Sequence, residues 1–151
     1  MSAEGVSPKK KKRKGTKDER LKRSQILLDV TRRCASLANI QDVWKELVSM
    51  TSYELDCDRG TLFLNDTETN ELFSFVAQGN LTREIRILND SGIAGHVYQT
   101  GQAKISDDPY NDPLFNHEVD QRTGYTTRNV ACVPVRTMAG DKIGVMQTLN
   151  K

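Results

Sequence analysis

Residues 91–101 read Ser-Gly-Ile-Ala-Gly-His-Val-Tyr-Gln-Thr-Gly, the stretch whose residue types and spacing best suit ligand chemistry. Ser91 stands where a helix N-cap is expected, because its hydroxyl can accept from an orphan N–H of the first turn. Gly92 and Gly95 carry no side chain, so a ligand can approach the backbone there. The free N–H groups and the positive end of the helix dipole then face that ligand, which suits a phosphate. A second reading also fits: a helix packed tightly on a sheet, with glycines for clearance. A lone Gly-x-x-Gly does not separate the two.

Few other residues suggest chemistry. His96 and His117 have no neighbouring Cys or paired carboxylates, so they make a poor metal site, and His96 reads as a structural hydrogen-bonder. Cys34, Cys57 and Cys132 are widely spaced with no C-x-x-C, so neither a zinc site nor a disulfide framework is expected. Reduced, partly buried thiols of an intracellular protein are the default.

The elements that must position the 91–101 stretch follow from period and charge. Residues 1–33 hold 12 Lys/Arg against 4 Asp/Glu, net +8, and the remainder holds 10 against 16, net −6. A basic, disordered head over 1–19 therefore precedes an acidic globular body over 20–151. The run Pro8-Lys9-Lys10-Lys11-Lys12-Arg13-Lys14 resembles a single-cluster nuclear localisation signal. It equally suits an import receptor, a phosphate-rich surface, an anionic membrane, or a tail that only aids solubility. No aromatic is interleaved, so base stacking is not supported. A cytoplasmic location is expected, with the nucleus open through the 8–14 run. No apolar run approaches 18 residues, so no membrane span is expected, and the N-terminus lacks the apolar core of a signal peptide.

Leu27, Val30, Cys34 and Leu37 step by three and four, predicting a helix over about 20–38. Asn39 caps a second helix whose apolar side holds Ile40, Val43, Trp44, Leu47, Val48 and Met50 or Thr51. Two such helices can cover a sheet and meet their counterparts in a second subunit. Period two then predicts strands over 59–65, 71–77 and 83–87. A short strand over 103–105 follows the 91–101 helix. The polar segment 106–125 is long for a connection in a compact domain, with room for a helix over 114–121. Its aromatics Tyr110, Phe115 and Tyr125 can pack down as a lid. Strands over 128–136 and 142–149 close the chain, with Pro134 at an edge or beside a bulge. The order predicts an α+β sandwich with one mainly antiparallel sheet and a pocket between the sheet and a helix-plus-lid layer.

Four segments in this order carry a resemblance: Asp58-Arg59-Gly60-Thr61-Leu62-Phe63-Leu64, Gly92-Ile93-Ala94-Gly95-His96-Val97, Thr123 to Asn129, and Ile143 to Lys151. Together they resemble a GAF domain, most like those of bacterial adenylyl cyclases and mammalian cyclic-nucleotide phosphodiesterases. The resemblance runs from about residue 22 to 151. It implies a three-layer sandwich with helices on both sheet faces and a lidded ligand pocket. Asn150-Lys151 looks like the start of a longer motif, so a fragment of a longer protein is expected, lacking a final helix and the acidic partner of Lys151.

The same resemblance implies a ligand, cAMP or cGMP, and no other cofactor. Arg59 and Thr61 would contact the purine, and Ala77 and Gln78 would flank it. Ile93 and Ala94 would offer N–H groups to the cyclic phosphate. Tyr110, Asp120, Thr123 and Thr127 would close the lid, and Gln147 would line the pocket. It further implies a non-catalytic regulatory module, dimeric through its N-terminal helices and controlling an attached C-terminal cyclase or phosphodiesterase domain. A dimerisation module with no nucleotide bound is the alternative. Methionine sulfoxide reduction and bilin attachment each need a specially placed cysteine, and neither Cys57 nor Cys132 falls in such a motif.

Overall fold

The computed structural model describes residues 16–79 and 84–151. Residues 1–15, which hold most of the expected basic head and its 8–14 run, lie outside the described residues. The first helix, α1 (Lys17–Ala35), starts three residues before the expected boundary because Thr16 and Glu19 form a reciprocal capping box. Among the described residues, those up to Ser36 and those from Leu37 onward form two separate compact units. No residue of α1 is buried, and Leu21, Leu27 and Leu28 are 58%, 66% and 56% exposed.

In the second unit, α2 (Ile40–Leu55) is capped as expected, Asn39 Oδ1 accepting from Asp42 N at 2.9 Å. Its buried face carries Val48, Met50 and Ser52, whereas Ile40, expected on the apolar side, is exposed. There follow β1 (Arg59–Asp66), β2 (Glu71–Ala77), β3 (Arg86–Leu88), α3 (Gly92–Thr100), β4 (Lys104–Ser106), a 3-10 turn over Pro109–Asn111, α4 (His117–Thr123), β5 (Val130–Arg136) and β6 (Lys142–Leu149). The third strand is shorter and later than its expected 83–87 span, of which Arg83 is undescribed, and α4 is shifted from 114–121 by two or three residues.

The six strands form one antiparallel sheet in the order β3-β2-β1-β6-β5-β4. β6, the last strand in the chain, therefore sits in the middle of the sheet, between β1 and β5. Pro134 is tolerated because β4 pairs only with residues 130–132, so beyond Cys132 one side of β5 has no ladder to supply. A register shift follows at Val135/Arg136.

Alternation along β1 sends its side chains to two faces. Gly60 faces α2, close to Ser52 and Val48. Phe63 faces the other way, into the core with Leu72, Ile93, Val97, Val130 and Val145. α2 thus covers one sheet face over β1 and β2, and α3 packs on the other over β5 and β6. This is the expected α+β sandwich with helices on both faces. Among the described residues no helix is long and apolar enough to cross a membrane.

Candidate functional site

α3 begins at the end of a turn, and its local structure divides the roles of the two glycines. Gly92 adopts φ +71, a conformation L side chains rarely take. Gly95 is required for packing: a Cβ there would stand 2.6 Å from the backbone carbon of Asp90. The tight-packing reading therefore holds at Gly95. Ser91 occupies the N-cap position in extended conformation, but its hydroxyl makes no capping bond, contrary to expectation. The first-turn N–H groups of Gly92, Ile93 and Ala94 consequently find no acceptor among the described residues.

Ile93 and Ala94 are buried and line a narrow, partly open cavity of about 60 Å³ between the sheet and the α3–α4 layer. Phe63, Val130, Gln147 and Leu149 form the sheet side of its wall. Phe115, Asn116, Val119, Asp120 and Thr127 form the opposite side, the segment expected as a lid. At about 10–15 Å³ per water position, the space holds a few waters.

Asp120 locks that segment. Its Oδ2 accepts from Thr127 N at 2.7 Å and from the Tyr110 hydroxyl at 2.9 Å, and its Oδ1 accepts from Thr127 Oγ1 at 2.8 Å. Asp120 and Thr127 are both buried. The bond to Asp120 raises the Tyr110 hydroxyl above the ordinary tyrosine value, because the carboxylate favours the proton-bearing form.

The eleven residues expected to bind ligand fall into distinct places. Ile93, Ala94, Asp120, Thr127 and Gln147 share the cavity wall, and Tyr110 reaches it through Asp120. Arg59, Thr61 and Ala77 lie along the neighbouring strands, where Thr61 pairs with both Ala77 and Gln147. The Arg59 guanidinium stacks 3.9 Å from the centre of the Tyr125 ring. Gln78 turns to α2: its Oε1 accepts from Ser52 Oγ and Gly60 N, both at 2.7 Å. Thr123 is exposed, and its hydroxyl donates to Val119 O one turn back at 2.8 Å.

A clamp at the root of the lid was not read from sequence. Asn150 is buried, with φ +56. Its Oδ1 accepts from Arg128 N at 2.6 Å, and its Nδ2 donates to the Tyr125 hydroxyl at 2.8 Å and to Thr126 O at 2.9 Å. The Tyr125 hydroxyl donates in turn to Asp58 Oδ2 at 3.2 Å. Burial, then the Asp58 charge, raises this hydroxyl above the ordinary range. An Asn closing a strand was the available signal, but nothing in spacing says which loop it grips.

Fold and cavity together define a three-layer sandwich with a lidded internal site. The chain belongs to the GAF domain family, whose pattern matches residues 39–151. It is 30% identical over 149 residues to Dual 3',5'-cyclic-AMP and -GMP phosphodiesterase 11 of Drosophila melanogaster, covering 88% of this chain and 10% of that protein. It is 32% identical over 143 residues to Probable 3',5'-cyclic phosphodiesterase pde-5 of Caenorhabditis elegans, covering 86% of this chain and 20% of that protein. The chain thus spans a tenth to a fifth of these relatives. Among solved structures, the GAF domain of a phosphoenolpyruvate-protein phosphotransferase from Coxiella burnetii superposes with a TM-score of 0.76 at 19% identity. That match covers 84% of this chain and 76% of that one. The free methionine-R-sulfoxide reductase of Neisseria meningitidis gives 0.71 at 19% identity, over 91% and 77%. At such identities the likeness is one of fold.

Proposed function

We propose that the body is a regulatory module that binds a cyclic purine nucleotide, cAMP or cGMP, between the sheet and the lid. The observation that carries this is the uncapped first turn of α3. Its free N–H groups at Ile93 and Ala94 lie on a cavity that Gln147 and Thr127 also line. A cyclic phosphate at those N–H groups satisfies orphan donors and meets the positive end of the dipole. Asp120 belongs on the ribose side, since a second anion beside its carboxylate is repelled. The relatives, one named as a dual 3',5'-cyclic-AMP and -GMP phosphodiesterase and the other as a probable 3',5'-cyclic phosphodiesterase, support the ligand class and an attached catalytic domain as the controlled partner.

The cavity of about 60 Å³ is smaller than the several hundred Å³ that ligand pockets usually offer, so binding requires the cavity to enlarge. Ligand then shifts a closed–open equilibrium, and control passes through that shift. Calorimetry with cAMP and with cGMP tests the reading. We expect heat and a rise in melting temperature that grows with ligand concentration. Absence of both at millimolar nucleotide overturns it.

A second reading has its own observation: α1 leaves Leu21, Leu27 and Leu28 exposed on one 19-residue helix. A homodimer through α1, with the pocket unused, would cover them. Sedimentation of the chain with these leucines replaced by Ser separates this reading from the first.

A further inference from the structure

A second depression, open to solvent and about 480 Å³, lies outside the lid. It is lined by Ser91, Gly92, Leu114, His117 and Gln121 among others, and its wall meets that of the internal cavity at three residues: Gly92, Phe115 and Asn116. Gly92 has no side chain, and a Cβ there would stand 3.4 Å from Asn116 Cβ, so these two face each other closely. Asn116 is pinned, because its Oδ1 caps α4 by accepting from Glu118 N at 3.0 Å. Phe115 is held differently. Its backbone is fixed by donation from its N–H to Asp112 O at 2.9 Å, while its half-buried ring packs against the hydrophobic core. Tyr110 and His117 lie against it at 5.3 and 5.1 Å between ring centres, and Tyr110 is 47% exposed. Rotation of the ring therefore breaks no hydrogen bond, and the outer depression has room to receive it.

We infer that the outer depression is the antechamber of the internal cavity and that the Phe115 ring is the door between them. The inference concerns the route to the cavity and stands whether or not the occupant is a nucleotide. With the ring in place, Phe115 stands in the wall that the two spaces share. With the ring swung outward, Gly92 and Asn116 are the jambs of a passage that opens beside the first turn of α3.

Thiol labelling tests this without any ligand. In the full chain carrying Cys34→Ser and Cys57→Ser, Gln147→Cys places a reporter on the cavity floor. Cys132, which is fully buried under α3, reports general loosening. Adding Phe115→Ala should speed reaction of the Gln147→Cys thiol with a small methanethiosulfonate reagent clearly above the parent rate, because the ring no longer stands in the shared wall. Cys132 should react no faster than before. Phe115→Trp should leave the reporter as slow as in the parent. Should Phe115→Ala fail to fold, Phe115→Leu carries the same test. An unchanged rate at the reporter, or equal acceleration of Cys132, overturns the door. A nucleotide failure in calorimetry would leave these rates untouched, so the two readings fail separately.

Discussion

Thr123 and Thr127 sit four residues apart in the same lid, yet the fold treats them oppositely. Thr127 is buried and gives both its N–H and its hydroxyl to Asp120, whereas Thr123 points to solvent and bonds its own helix. Truncating Thr127 leaves part of a buried carboxylate unsatisfied, a loss of roughly 1–3 kcal/mol. Truncating Thr123 should stay within about 0.5 kcal/mol, as at most exposed sites. Urea melts of Thr127→Ala and Thr123→Ala check this. Equal midpoints would show that the Asp120 lock contributes nothing. The spacing of the two threonines is visible in sequence, but their division is not, because a hydroxyl bonds whatever lies nearest once the chain is folded.

At the scale of elements, the approach of α3 to the turn before it decides whether the cavity exists. Gly95 allows that approach, and an added methyl would meet the Asp90 backbone, which cannot give way as a flexible side chain would. Gly95→Ala should therefore cost about 1–3 kcal/mol through overpacking. It should also displace the first turn of α3 and weaken any anion bound there. Thermal melts measure the first effect, and an unchanged melting temperature would mean that the turn and helix are not in tight contact. The helix itself was legible from its glycines and apolar spacing. That one glycine serves packing and the other a positive φ emerged only with the turn in place.

Across the whole molecule, stability should fall on the alkaline side, and the direction follows from buried neutral groups. Burial pushes the Cys132 thiol up to about 12 from an ordinary 9.0. The fold favours the protonated thiol, so its contribution is complete below pH 9 and is lost as pH rises from 9 towards 12. The slope should approach 1.4 kcal/mol per pH unit in that window. Tyr110 and Tyr125, also raised, add to the fall above about pH 10, the unperturbed tyrosine value. Denaturation midpoints from pH 8 to 11 should drop steeply in the parent and less so in Cys132→Val. Equally steep curves would place the thiol in contact with water.

Sequence alone determined the order of elements, because period and capping are local: Asn39 and Asp42 start a helix wherever the chain lies, and alternation makes residues 59–66 and 142–149 strands. It also determined the family, through four segments read in order. Tertiary structure decided which of the candidate residues share a wall. Gln78 and Ala77 are neighbours in the chain, yet the Gln78 carboxamide bonds across to Ser52 on α2 while Ala77 pairs with Thr61 on β1. Asn150, given no role from spacing, grips residues 22 to 25 positions away because β6 ends beside the lid's root. Local signals carry no information about such distances, since a hydrogen bond between remote residues depends on the register of strands that only the closed sheet sets.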